Sequence, residues 1–298
     1  MNLSKVWNNS SWITDLKRKR IFEQIARWMV ELSTLEFDKI GCLDWDDTAR
    51  LHHVVPFPDS SAFFVGVPSE EKYDEGPTGP FDTAHSFLSF LLSTRRRIAD
   101  SPMLAVLQVF LSALPDNTLD GPPFVLYHPD LDSKNVLVNE DGVIIGIIDW
   151  DNVHIGPRQG AAAAYPSWLT VDWDPLYYGW SKKASPEANS DYDSPAELAK
   201  YRKAYLAAIH RASAGKLTDI TRNFHVWITL SIAICNGTAT SKIVDHLSKF
   251  IFGSGLLGYE VEEGIRRGVW YALGKSPETI AEVAGVLYIL CLGSIVDG

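Results

Sequence analysis

Apolar side chains return at helical spacing early in the chain. Ile21, Ile25, Trp28, Met29 and Leu32 fall on one face, with Lys and Arg between them, which predicts an amphipathic helix over 13–33. Residues 41–80 are rich in Asp, Pro, Gly and Ser and read as a long loop, with one short strand expected at 62–67 (AFFVGV). Helices are expected from Asp82 to Ile98 and from Ser101-Pro102 through Leu114. The clear β signal comes next: FVLYH (124–128), NVLV (135–138) and VIIGII (143–148). The last two are joined by Asn139-Glu140-Asp141-Gly142, whose Asp-Gly is a hairpin signal. Ser194-Pro195-Ala196-Glu197 is a capping box with proline at the first helical position, opening a helix that Gly215 stops. Further helices are expected near 219–235, 238–250, 259–273 and 277–292. The fold class is α+β, mostly helical, with a small β element in its middle.

Composition narrows the function. The 298 residues carry 27 basic and 37 acidic side chains, a net charge of −10, so a basic groove for nucleic acid is not expected. Cys42, Cys235 and Cys291 are far apart and fit neither a disulfide framework nor a zinc pattern; buried, reduced thiols of a cytoplasmic protein are expected. The N-terminus has no secretory signal, and VAGVLYILCLGSIV (283–296) is short for a membrane span, so it reads as a core helix. Arg95, Arg96 and Arg97 suit a helix C-terminus better than a phosphate clamp.

The chemistry concentrates in 124–159. Antiparallel pairing across the 139–142 turn brings the start of one strand beside the end of the other. Asn135 and Asp149 therefore emerge at the same end of the hairpin. Counted from the turn, Asp149 lies three residues beyond the level of Asn135, roughly 10 Å, so the loop 129–134 must fold back. An amide carbonyl and a carboxylate meeting there form a hard oxygen site of the kind magnesium takes. Asp130 enters the same space with no lysine or arginine beside it in sequence, and is suited to accept a proton from an attacking hydroxyl. Asp132 and Asp141 read as turn formers. No histidine of the chain shows metal-ligand spacing. The order H-x-D-x-x-x-x-N (His128, Asp130, Asn135), hairpin, then Asp149-Trp150-Asp151 follows the catalytic-loop logic of kinases.

With His128-Pro129-Asp130-Leu131 and IIDWD, the chain resembles the aminoglycoside phosphotransferase and choline kinase group, and more closely the fungal branch of the phosphotransferase enzyme family. FDKIGCLDWD (37–46), GPFDTAHSFL (79–88) and GPRQGAAAAYPSWLTVDWDP (156–175) extend the resemblance over most of the chain. The resemblance implies Asp130 as catalytic base, Asn135 and Asp149 as metal ligands, His128 as a brace for the loop and Asp151 as a supporting or substrate-side acid. It implies magnesium as cofactor, ATP or GTP as phosphate donor and a small-molecule hydroxyl as acceptor. The acidic stretch 172–193 is a candidate receiver for a cationic acceptor.

In that family a β lobe with a glycine-rich loop and a strand lysine covers the nucleotide. Before residue 121 the glycines are Gly41, Gly66, Gly76 and Gly79, with no G-x-G-x-x-G. Residues 1–298 are therefore expected to be a single kinase-like helical lobe without the N-terminal β lobe. Two readings follow: a magnesium-dependent phosphotransferase, or a truncated, non-catalytic relative that binds without transferring. Metal-dependent hydrolysis through Asp130, Asp149 and Asp151 lacks a second ligand cluster.

Overall fold

The computed structural model describes residues 1–59, 63, 76–98, 102–113, 115–161, 163–174, 178–185, 189 and 192–244. The chain divides into two units, one of Met1–Val55 with Pro122–His225, the other of Pro56–Gly121 with Val226–Gly298. The strand expected at 62–67 and the helices expected beyond 244, the 283–296 run among them, lie outside the described residues, apart from the isolated Phe63.

The first unit begins with the amphipathic helix. Helix α1 spans Asp15–Leu32, and Thr14 caps it by accepting from the Lys17 amide. Its apolar stripe is buried, with Ile21 and Ile25 fully so. Each such side chain contributes about 1.5–3 kcal/mol of transfer free energy. Helix α4 (Pro195–Ala212) carries the anticipated capping box, with both Ser194–Glu197 bonds made. It packs along α1. Between and around them rings interlock: Trp7 lies 5.8 Å from Phe22 and 5.5 Å from Tyr201, and Phe22 meets Tyr205 edge-on at 6.2 Å. Helix α1 is followed by strand β1 (Glu36–Phe37).

Residues 41–80 are not all loop. Strands β2 (Cys42–Asp46) and β3 (Leu51–Val55) form a regular antiparallel hairpin, Cys42 facing Val55 and Asp46 facing Leu51. Asp46 caps its turn by accepting from the amides of Thr48 and Ala49. The hairpin is joined to the rest of the unit by backbone bonds between Gly41 and Ile155.

Strand β4 (Phe124–Tyr127) is the centre of a small sheet. It pairs antiparallel with β1 on one side and with β7 (His154–Gly156) on the other. A second hairpin, β5 (Val136–Val138) with β6 (Ile144–Ile147), lies beside the chain's first residues, where Asn2 bridges Leu137. Helix α1 holds this hairpin by its turn. The buried Gln24 side chain donates to the carbonyl of Gly142 and accepts from the amide of Ile144, and Arg20 donates to the carbonyl of Asp141. A glutamine in an apolar stripe thus satisfies backbone groups that the turn cannot pair itself. The helix expected over 219–235 is two: α5 (Thr218–Arg222) and α6 (Phe224–Cys235).

In the second unit, helices α2 (Ala84–Ile98) and α3 (Pro102–Ala113) pack together, burying Leu88, Leu92, Leu104, Leu107 and Leu111. Asp120 accepts from the His85 amide at the start of α2. Phe57, Phe63, Phe81 and Phe87 gather into one aromatic cluster.

Candidate active site

Register decides where Asp149 stands. Val136 faces Ile147 and Leu137 faces Gly146; the pairing then slips, and Val138 faces Ile144. The turn is longer than the four residues expected, because Asn139 accepts from the amides of both Asp141 and Val143. The slip and the longer turn shift β6 by two residues relative to an unbroken ladder. The Ile148 amide consequently donates to the Asn135 carbonyl at 2.9 Å. Asp149 follows directly, one residue beyond the level of Asn135 instead of three, so about 3.4 Å of strand separates them.

The loop 128–135 is held from several sides. Asp132 is the cap of a tight turn over Ser133–Asn135; its Oδ1 accepts from the Lys134 amide at 3.0 Å. Its Oδ2 accepts from the Ser167 hydroxyl at 2.6 Å, while the Ser167 amide donates to Leu131 O at 3.0 Å. Asp132 is thus a turn former, as the sequence reading has it, and also an anchor for the segment around Trp168. The Asn2 side chain donates to the Lys134 carbonyl at 2.8 Å. Ser167 and Asn2 are invisible to motif reading, since they lie 35 and 130 residues from Asp132.

Within this frame Asn135, which is buried, turns its side-chain nitrogen onto Asp130, donating to the main-chain oxygen at 2.8 Å and to Oδ2 at 3.0 Å. The amide's carbonyl oxygen is left without a hydrogen bond among the described residues. His128 is buried and reaches both sides of the site. Its Nδ1 accepts from the Asp130 amide at 3.3 Å, and its Nε2 lies 3.2 Å from Ile148 O. That pairing fits the neutral tautomer with the proton on Nε2. The Trp150 ring lies edge-on to His128 at 4.8 Å and donates from its indole nitrogen to Ile147 O.

Asp149 adopts φ +64° and Asn152 φ +61°. Asp and Asn tolerate this left-handed region better than most residues, at a cost of order 1 kcal/mol each. The reversal at Asp149 follows directly on the Ile148–Asn135 bond. Asp151 is exposed and makes no hydrogen bond or ion pair among the described residues.

One charge partner overturns a sequence expectation. Asp130 does meet a lysine: Lys134 Nζ is 2.8 Å from Asp130 Oδ2. Four positions apart is not adjacent in sequence, but the turn capped by Asp132 brings the two side chains together. The hydrogen bond to Asp130 raises the Lys134 pKa against the opposing effect of desolvation, and the charges of Asp130, Asp132 and Asp149 add to the rise.

Among the described residues no group of three or more His, Cys, Asp or Glu side chains converges to hold a metal. The donor set here is of another kind, one amide carbonyl at Asn135 and one carboxylate at Asp149. A magnesium ion that keeps water and substrate phosphates as its other ligands needs only one or two such oxygens. The acidic stretch after residue 171 is partly committed elsewhere: Asp172 forms a two-point ion pair with Arg202 at 2.6 and 3.0 Å, and Asp193 accepts from the Trp7 indole. Of the other described histidines, His154 packs against Tyr127 and His52 against Trp45.

The model of the phosphotransferase enzyme family matches residues 66–180. The match takes in His128, Asp130, Asn135, Asp149 and Asp151, though not the 37–46 segment to which the resemblance was extended. A curated relative, the clavilactone A biosynthesis cluster protein Y of Ampulloclitocybe clavipes, is 29% identical over 140 residues. That alignment covers 43% of this chain, and the chain spans 34% of the relative's length. No solved structure matches significantly. The similarity to the phosphotransferase enzyme family, read first from His128–Asp151, therefore has an independent footing. No described helix is long and apolar enough to cross a membrane.

Proposed function

We propose that this chain is a kinase-like phosphotransferase that moves the γ-phosphate of a nucleotide, ATP or GTP, to a hydroxyl of a small molecule. The observation that carries the reading is the Ile148–Asn135 bond, which brings the backbone next to Asp149 to the level of Asn135, whose side chain bonds Asp130. The match to the phosphotransferase enzyme family over 66–180 supports the reaction class. The relative's name, a biosynthesis cluster protein, agrees with a small-molecule acceptor.

Asp130 is the base. Lys134 and Asn135 both hold its Oδ2, and its other oxygen faces no donor among the described residues. That second oxygen accepts the acceptor's hydroxyl proton as the acceptor oxygen bonds to the γ-phosphorus and the bridging bond to the β-phosphate breaks. Proton acceptance by a positioned carboxylate contributes about 10²–10⁴-fold. Asn135 and Asp149 would hold magnesium, which supplies neutralisation of the charge on the nucleotide phosphates. His128 fixes the distance between the base loop and the end of β6. Asp151, exposed and next to Trp150, would serve as a supporting or substrate-side acid.

The test is nucleoside diphosphate release by the purified chain, with ATP or GTP, magnesium and a panel of hydroxylated small molecules. Acceptor-dependent release, lost in Asp130→Asn, is the expected result. Nucleotide binding with no acceptor-dependent release would mark a non-catalytic binding protein instead.

A further inference from the structure

We infer that Lys134 is a positioning residue for the base: with Asn135 it clamps one oxygen of Asp130 so that the other is presented to the acceptor hydroxyl. This deepens the phosphotransfer reading and rests on it for its consequence in catalysis, though the clamp itself stands on geometry.

A stabilising role does not account for the pair. Its side chains are 57% and 43% exposed, and ion pairs so exposed contribute about 0–1 kcal/mol. What distinguishes it is the way the lysine is mounted. The Lys134 amide is bonded to Asp132 Oδ1, its carbonyl to the Asn2 side chain, and the next amide, Asn135, donates to Asp132 O. The root of the lysine side chain is thus fixed at both peptide bonds. Asp132 in turn is held by Ser167. A long, flexible side chain on a rigid root loses less freedom when its ammonium docks.

The two donors also fall on the same atom. Asn135 Nδ2 and Lys134 Nζ both meet Oδ2, at 3.0 and 2.8 Å. A carboxylate held at one oxygen by two donors from different directions cannot rotate freely about its Cβ–Cγ bond. The second oxygen then has a fixed direction, the condition that turns a nearby carboxylate into an oriented base. Lysine provides this better than a neutral donor because the bond is charge-assisted. No bond to Lys134 is made or broken in the reaction; it acts through Asp130.

The experiment uses the full chain labelled with ¹⁵N. The Asn135 side-chain amide, assigned from its loss in Asn135→Ser, reports the Asp130 carboxylate it bonds to. In Lys134→Met that signal is expected to shift or split, while Lys134→Arg, which keeps a charged donor, stays near the wild-type position. In the diphosphate-release assay, Lys134→Met is expected to lose about 10²-fold in kcat with the nucleotide KM unchanged, and Lys134→Arg to recover part of it. An Asn135 signal in Lys134→Met that coincides with wild type overturns the clamp, as does a moved signal with kcat intact. A moved signal in a chain that releases no diphosphate even as wild type upholds the clamp and refutes the phosphotransfer reading.

Discussion

The amide of Ile148 donates to the carbonyl of Asn135 at 2.9 Å. Through this one bond a loop that begins at His128 and a strand that ends at Ile147 share one edge. The bond exists because the hairpin register slips between Leu137 and Val138. Without the slip Asp149 would stand one residue further away, and with the four-residue turn as well, two. A hairpin re-registered by replacing the Asn139 side chain is therefore expected to disturb the site before it disturbs the fold.

Asp149 should be dispensable for folding. It is exposed, and asparagine tolerates φ +64° as aspartate does. Asp149→Asn is expected to change stability by no more than about 0.5 kcal/mol, checked by urea unfolding, while weakening binding of the magnesium–nucleotide complex. Asp149→Ala should cost more, because alanine is strained at that dihedral.

Gln24 has the opposite profile. It touches no reacting group, yet its buried amide satisfies Gly142 O and Ile144 N. Gln24→Leu leaves both backbone groups unpaired and is expected to cost about 1–3 kcal/mol, seen as a lower urea midpoint with unchanged slope.

The cap at Asp132 joins stability to the site. Asp132→Ala removes the bonds from the Lys134 amide and the Ser167 hydroxyl. Loss of such a cap costs about 0.5–2 kcal/mol, and the rooted lysine is released with it. Ser167→Ala removes only the tether, so it should show a smaller loss of stability and a smaller loss of turnover.

Acid should weaken the fold through buried histidines. Desolvation lowers the His154 pKa below its ordinary 6.5, against a smaller raising effect from the Asn152 carbonyl, and burial lowers that of His225 likewise. In the window from 6.5 down to the folded values the unfolded chain binds more protons than the native one. Stability is therefore full above about pH 6.5 and falls as pH drops through that window. Thermal unfolding followed from pH 7.5 to 5 should show this slope, and His154→Gln should reduce it.

How much of this could be read from residues alone depends on the element. Helix α1 and helix α4 announce themselves because one stripe of each is buried and their caps are local: Thr14, and Ser194 with Glu197. The hairpin β2–β3 escaped because none of its side chains is fully buried; no alternation of apolar and polar positions marks it, and its ladder is carried by backbone bonds and the Trp45–His52 contact. Strands β1 and β7, two and three residues long, are too short to carry a period. The chemistry-bearing residues of the candidate site were legible in H-x-D-x-x-x-x-N and IIDWD. Their separation was not, because a register slip leaves no trace in composition. Lys134 was missed because a loop turn, unlike a helix, does not declare that positions four apart will meet.

The central claim is that Asp130, Asn135 and Asp149 work as one phosphate-handling centre. It is tested most directly by calorimetric titration of ATP and of GTP, each with magnesium, into the wild-type chain and into Asp149→Asn. Saturable, magnesium-dependent binding of either nucleotide to the wild type, lost in a variant that still unfolds like it, is the result predicted. Equal binding to both proteins, or none to the wild type at millimolar concentrations of either nucleotide, would contradict the account.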